Sequence, residues 1–383
     1  MSVKSVVLLI LGTISIVMAE WPEFKVSVID TFGNRMGQTA LVDLDHDGDM
    51  DWVFGERGKM YWYEYRNADE WILHDLGQGA RTDVGGTVHD VDRDGWLDII
   101  AGTGWYRNPG NPADKTFEFF SSQAIGCHDN VVADLDQDGL MDVIACSNDT
   151  SHPFLNWYRI PQDPTQPWIE TRMGTGIHGG VSPAGVGDLD FDGDIDVVRG
   201  DSWFQNHDRG KKWVEHADLI PPGGSRVGRY GLAIKSWVTD LDKDGDPDIV
   251  QAEADYPSCR VFWWENVNQA QRWIFHAISQ LDTDQDFHSL AVADFDLDGD
   301  LDVFSGGGPL SKATHKMYIW ENLDKTGNSW KEHLLLSGKR CHEAVAADVD
   351  HDGDIDICTK PWHGNTHLFL RNMLNETRKG IKE

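Results

Sequence analysis

The 383-residue sequence predicts an all-β fold, a seven-bladed β-propeller with four-stranded blades. Three observations carry that expectation. A nine-residue acidic pattern occurs seven times. Short apolar and aromatic runs recur in the same order around the copies. No stretch after the N-terminal leader keeps a helical apolar period long enough for a helix.

The acidic pattern, D-x-D-x-D-G-x-x-D, begins at Asp43, Asp90, Asp134, Asp188, Asp240, Asp294 and Asp348, with steps of 47, 44, 54, 52, 54 and 54 residues. Self-similarity at this period marks propellers, solenoids and arrays. Before each loop stands a short apolar run such as "NVVA" or "LAVA", and after it another such as "VIACS" or "VVRG". An aromatic strand closed by a turn residue follows ("VFWWEN", "MYIWEN"), and then a Trp-His type strand ("WILHDL", "WIFHAIS"). Four short segments rich in Val, Ile, Trp, Tyr and Phe, broken by Gly, Asn and Pro, make one blade. Most of the seventeen tryptophans fall in the third or fourth segment, where packing between blades accounts for them.

The chain ends fit a closed ring. The segment Phe24–Asp30 reads as a fourth strand with no blade before it, and the last repeat stops after its third strand, His367–Asn372. The expected organisation is a leader over 1–19, one propeller over 20–375 and a tail over 376–383.

The aspartates need a physical reason. Adjacent carboxylates about 4 Å apart repel by roughly 1 kcal/mol per pair in water and about 4 near a protein surface. Carboxylates at positions 1, 3, 5 and 9 around a glycine turn instead wrap one hard cation with oxygen ligands. The expected ligands are Asp43, Asp45, Asp47 and Asp51 in the first loop and Asp90, Asp92, Asp94 and Asp98 in the second. The third and fourth offer Asp134, Asp136, Asp138 and Asp142, then Asp188, Asp190, Asp192 and Asp196. The last three offer Asp240, Asp242, Asp244 and Asp248, then Asp294, Asp296, Asp298 and Asp302, then Asp348, Asp350, Asp352 and Asp356. The reading is up to seven structural Ca²⁺ sites. An EF-hand is excluded, since there is no glutamate at position twelve and no flanking helix pattern. These loops resemble the FG-GAP and VCBS repeats of calcium-binding propellers, including the integrin α-subunit head. That resemblance spans about Phe24 to Asn372 and implies fold and metal, while such propellers serve in adhesion, glycan binding and catalysis alike.

The first nineteen residues carry a lysine, an apolar core from Val6 to Val17 and Val17-Met18-Ala19 before Glu20, the pattern of a cleaved secretory leader. The expected location is extracellular or periplasmic, without membrane insertion, as a monomer. Five cysteines are an odd number for an oxidising compartment; Cys127 with Cys146 and Cys341 with Cys358 are candidate bridges. Asn148 and Asn375 head glycosylation sequons that would matter only in a eukaryotic host. A net charge of −31 opposes nucleic acid and anionic membranes as partners.

If the acidic loops join strands one and two, the opposite face is built from segments entering strand one and leaving strand two. There His128, His288 and His342 each stand six residues before the first motif aspartate of their repeat. Equal offsets place them at equivalent positions around the axis. His178, Arg229, Tyr230, Lys235 and Arg340 lie on entering segments; Asp149, His152, Arg199, Glu253, Tyr256, Lys312, His315, Lys360, Trp362 and His363 follow strand two. Arginine suits a carboxylate, and histidine near neutral pH takes or gives a proton. Together they fit β-elimination at an acidic sugar. The sequence is similar here to secreted propeller lyases, the ulvan lyases and rhamnose–glucuronate lyases, and to the propeller of aldosulose dehydratases. The resemblance implies a reaction class acting on an acidic polysaccharide or oligosaccharide. On this reading His128 is the base, His342 or Tyr230 the acid and His288 a further catalytic candidate. Arg229 and Arg340 clamp the carboxylate, with His178, Lys235, Arg199 and Trp362 as substrate contacts. Zinc at a three-histidine pocket is opposed by the neighbouring arginines. Two rivals stand beside the lyase: a non-catalytic glycan- or protein-binding propeller using the same face, and a structural scaffold with no concave pocket there.

Overall fold

The computed structural model describes residues 21–79, 86–102, 104–122, 127–147, 151–178, 180–280, 284–312 and 314–380. The expected leader, Asn148 and Asp149 lie outside them.

Seven antiparallel sheets form the blades of a β-propeller. Blade 1 runs Met36–Val42, Asp51–Glu56, Lys59–Asn67 and Glu70–Gln78 in that spatial order. Blades 2 to 6 repeat the order, with second strands at Asp98–Ala101, Asp142–Ser147, Asp196–Arg199, Asp248–Glu253 and Asp302–Gly306. Blade 7 takes its first three strands from Ala344–Ala347, Asp356–Thr359 and Thr366–Asn372. Its fourth is the N-terminal Phe24–Thr31, with Phe24 opposite Asn372 and Thr31 opposite Thr366. Blade 5 carries a fifth, parallel strand, Pro183–Ala184, and a separate hairpin, Val227–Gly228 with Gly231–Leu232, projects ahead of its first strand. The chain from Leu374 to Gly380 is a short helix.

The core lies between blades rather than at the axis. Among the described residues, seven apolar clusters each join one blade to the next; Val53, Trp62, Ile99 and Tyr106 bridge blades 1 and 2, while Trp52, Phe54, Cys358 and Phe369 bridge 1 and 7. Second strands therefore bury both faces, as in Asp142–Ser147, whereas outer strands such as Trp330–Ser337 are largely half-exposed or exposed. Trp52, Trp62, Trp105, Trp263 and Trp320 are among the largest fully buried side chains. Asparagines ending the third strands tie blades together: Asn108, Asn206, Asn266 and Asn372 donate Nδ2–H to the carbonyls of Leu44, Leu135, Leu189 and Phe295 in the preceding blade, at 2.8–2.9 Å.

The two candidate disulfides are not formed: all five cysteines are buried thiols. Sequence spacing placed each pair on adjacent strands, but the partners face opposite sides of their blade. Cys127 packs between blades 2 and 3 and Cys146 between 3 and 4; Cys341 packs between 6 and 7 and Cys358 between 7 and 1. Asn375 lies on the terminal helix, with its Nδ2 donating to the Asp352 carbonyl.

Candidate active site and cation loops

The acidic loops join strands one and two on one face. Their glycines, from Gly48 to Gly353, have φ between 89° and 103°, a region that L side chains avoid. The residue at position four is left-handed in every copy although never glycine: His46, Arg93, Gln137, Phe191, Lys243, Leu297 and His351, with φ from 55° to 63°. Such a conformation costs on the order of 1–3 kcal/mol and persists where the surroundings over-determine it. Here it coils the loop so that alternate carboxylates converge. In blade 1, oxygens of Asp43, Asp45 and Asp51 lie within 4.8 Å of one another, and the same holds for Asp90, Asp92 and Asp94 in blade 2.

Position nine has a second duty that spacing did not reveal. Asp51 Oδ2 accepts the Leu44 N–H at 3.0 Å and its Oδ1 the Tyr65 N–H at 3.1 Å, clamping loop to third strand. The same pair of bonds recurs at Asp98, Asp196, Asp248, Asp302 and Asp356. The donor set fits calcium on a structural ground. Buried Oδ1 atoms of Asp43, Asp188 and Asp240 at position one, and of Asp92, Asp136 and Asp350 at position three, have no hydrogen-bond donor. Converging buried oxygens without donors are what a hard cation satisfies.

The opposite face holds a cavity of about 390 Å³ around the axis, where the first strands of neighbouring blades pack together. His128, His178, His288, His342, Tyr230 and Trp362 line it, all named from sequence, together with Arg35, Arg57, Asp255 and His363. His128 Nδ1 lies 2.8 Å from Asp129 Oδ1. His178 Nδ1 lies 2.8 Å from Asp255 Oδ2. The rings of His128 and His178 are 3.9 Å apart, and Tyr230, at the tip of the projecting hairpin, stacks on His178 at 4.9 Å. Across the cavity His288 stacks on His342 at 4.0 Å, His342 leans on Trp362, and Arg57 caps Trp362 at 4.6 Å.

A buried ion network underlies these rings. Lys235 Nζ is 2.9 Å from Glu343 Oε1 and 3.5 Å from Asp129 Oδ1. His288 sits between Asp255 at 3.5 Å and Glu343 at 3.6 Å. Burial alone would lower its pKa, but Asp255 above all, with Glu343 and Asp286, raises it to about 10. It is an imidazolium fixed by two carboxylates. His342 is the reverse case: burial, then the charges of His288 and Lys360, hold it well below the usual histidine range. Lys360 Nζ donates to its Nδ1 at 3.4 Å. Asp129, Asp255 and Glu343 stay ionised despite burial, because Lys235 and the histidines hold their pKa values down, that of Glu343 at about 2.

The remaining sequence candidates lie elsewhere. Lys235 is 3 % exposed and serves the network beneath the cavity. Arg229 is exposed, 5.4 Å from the Tyr230 ring, and Arg340 is exposed at the rim, donating to His315 Nε2 and the His363 carbonyl. Arg199 stands 4.0 Å from Asp201. Sequence reasoning missed Arg35, Arg57, Asp129, Asp255 and Glu343.

Comparison with known proteins agrees with this architecture. A model of the FG-GAP-like repeat matches residues 43–101, 134–198 and 240–305. No curated protein matches the chain. One similar solved structure is BBS1N in complex with ARL6DN, with TM-score 0.51 and 10 % identity over 91 % of this chain and 96 % of that one. Another is an Agrocybe aegerita lectin recognising non-reducing terminal N-acetylglucosamine, with TM-score 0.36 and 14 % identity over 85 % of this chain and 74 % of that one. At 10 % identity the likeness to the BBS1N structure concerns the fold alone. No described helix is long and apolar enough to cross a membrane. The chain is a seven-bladed β-propeller that carries FG-GAP-like repeats.

Proposed function

We propose that the axial cavity is the active site of an exported, calcium-stabilised lyase that cleaves a uronate-containing glycan by β-elimination. The observation that carries this reading is the meeting, in one cavity, of an aspartate-oriented histidine, a tyrosine and two arginines: His128 on Asp129, Tyr230, Arg35 and Arg57. An ionised Asp129 accepts the Nδ1–H of His128, so the neutral imidazole carries its lone pair at Nε2. Nε2 takes the proton at C5 of the uronate. The electrons of that bond form the C4=C5 double bond as the C4–O bond breaks, and the Tyr230 hydroxyl protonates the departing oxygen. Arg35 and Arg57 face the substrate carboxylate and stabilise the charge that builds on it. Arg229 and Arg340 extend the positive rim outward. His342 accepts from Lys360 at Nδ1, so its Nε2–H is a hydrogen-bond donor that can steady the departing oxygen while Tyr230 delivers the proton.

A second reading, a non-catalytic glycan-binding propeller, draws support from the paired ring contacts of the four cavity histidines, one pair tilted and one stacked, which build an aromatic wall suited to a sugar face. One experiment separates the two. The mature protein with Ca²⁺ is incubated with a panel of uronate polysaccharides while the ultraviolet absorbance of unsaturated uronate is followed. A signal that disappears in His128→Ala and survives in the exposed outer-strand variant Glu70→Ala supports the lyase. Glycan binding without any signal supports the recognition module, and neither activity sinks both.

A further inference from the structure

Seven copies of one loop allow comparison within a single chain. The third-strand residue just before the interblade asparagine position differs among them: Glu64, Arg107, Arg159, Gln205, Glu265, Glu321 and Arg371 in blades 1 to 7. In blades 1, 4, 5 and 6 this side chain is braced by a fourth-strand histidine. His74, His276 and His333 Nε2 lie 2.8, 2.6 and 2.6 Å from the glutamate Oε2, and His216 Nε2 lies 3.0 Å from Gln205 Oε1. In blade 1 an oxygen of Glu64 lies within 4.8 Å of oxygens of Asp45 and Asp47. In blades 2, 3 and 7 the same position turns a guanidinium onto the position-three aspartate: Arg107 to Asp92 at 2.6 Å, Arg159 to Asp136 at 3.7 Å and Arg371 to Asp350 at 2.6 Å.

The loops differ in a second way. In the arginine blades both oxygens of the position-one aspartate accept backbone N–H groups, as in Asp134 from Asp138 and Gly139. In blades 1, 4 and 5 the position-five N–H turns to position three instead, and the position-one Oδ1 is left buried without a donor; in the arginine blades the oxygen without a donor is the position-three Oδ1, on the carboxylate that the guanidinium pairs with. In blade 6 the position-one oxygens are engaged, but Asp300, only 2 % exposed, has neither oxygen hydrogen-bonded. It lies next to Asp298 and Asp296.

We propose that the loops of blades 1, 4, 5 and 6 are the tight calcium sites and that a third-strand arginine stands in for the cation in blades 2, 3 and 7. The divalent ion needs oxygens on every side. An arginine that occupies a position-three oxygen removes a ligand and adds a repelling charge. In blade 4 the Gln205 amide donates its Nε2–H to Asp190 Oδ2 and turns its Oε1 to His216; being uncharged, it can rotate to present the oxygen to the loop instead. The blade that closes the ring is thereby locked by a charge built into the chain, with Arg371 held by Asp350 and Glu376.

The test is a count of bound calcium by native mass spectrometry and calorimetric titration of chelator-stripped protein, independent of any turnover. Four ions at micromolar calcium are expected in the natural chain, five in Arg159→Gln and three in Glu265→Arg. Near-ultraviolet circular dichroism checks folding. If Glu265→Arg does not fold, the gain of one ion in Arg159→Gln, a change at a half-exposed side chain, decides. A count of seven, a count of none, or a count that Arg159→Gln leaves unchanged overturns the assignment.

Discussion

His128 and Asp129 are adjacent in sequence and hydrogen-bonded to each other, Nδ1 to Oδ1 at 2.8 Å, with Asp129 fully buried and His128 on the cavity wall. A bulge in the pairing of this strand, between Cys127 and Asp129, permits the arrangement, because successive strand residues otherwise point to opposite faces. Asp129→Asn would allow the ring to take the other tautomer, with no lone pair toward the substrate. Lyase turnover should fall by about 10³–10⁴, the scale seen when an orienting aspartate is removed from a histidine base. The second partner of Lys235, Glu343 at 2.9 Å, should keep the fold intact. Kinetics and a melting curve on the same preparation check both halves.

Lys235 offers a contrast between support and recognition. Its ammonium is enclosed by Asp129 and Glu343 beneath the histidines. Lys235→Met leaves two buried carboxylates facing a thioether. Breaking a buried pair from one side costs about 3–5 kcal/mol. Urea unfolding should show a loss of that order. A variant of unchanged stability and weakened substrate binding would instead make Lys235 a ligand contact.

How much of this was legible in the sequence follows from periodicity. The blade count, the strand order and the closing N-terminal strand all follow from a repeat that survives in seven copies. His128, His288 and His342 meet in the cavity because equal offsets from a repeated loop are equal positions on a ring, and His178, Tyr230 and Trp362 join them from the same entering and leaving segments. The offsets say nothing of where a side chain points, which is why Lys235 belongs under the cavity and Arg340 on the rim. Asp129 and Glu343 were within reach, as each directly follows an offset histidine. Arg35 was not, since the segment entering blade 1 has no histidine to mark it; Arg57, on the turn that leaves the second strand of blade 1, has no histidine beside it either. The disulfide expectation failed for the same reason: adjacency of strands does not fix which blade face a thiol shares.

The imidazolium of His288 gives the fold a pH signature. Its pKa is about 10 in the folded protein against 6.5 for a free imidazole, so its contribution is fully present below pH 6.5 and is lost as pH rises toward 10. Glu343 works in the other direction. Held at about 2 against 4.5, it contributes above pH 4.5 and loses that contribution as pH falls toward 2. The network is therefore strongest between about pH 4.5 and 6.5. In His288→Gln the alkaline part should vanish, and the gap in Tm between natural protein and variant should close as pH rises from 6.5 to 10. A gap that is constant over that range would mean that His288 is neutral and only packs.

The clasp of the ring predicts how the molecule opens. Phe24–Thr31 supplies the outer strand of blade 7, with seven residues paired to Thr366–Asn372 across a bulge at Ile29. Residues on both sides of the clasp reach the core: Leu368 and Leu370 join the cluster between blades 6 and 7, Phe369 the one between 7 and 1, and Phe24 and Ile29 pack at their margins. Removal of residues 21–31 bares the hydrogen-bonding edge of the third strand and unseats those margins together. An uncovered edge of this kind pairs with other chains. The truncated protein should melt at a lower temperature and associate as its concentration rises, read by light scattering. Adding a synthetic peptide of residues 21–31 should reverse both effects, because the lost strand carries its own register. Failure of the peptide to restore the monomer would place the closing force elsewhere, in the contacts of Arg371 with Asp350 and Glu376.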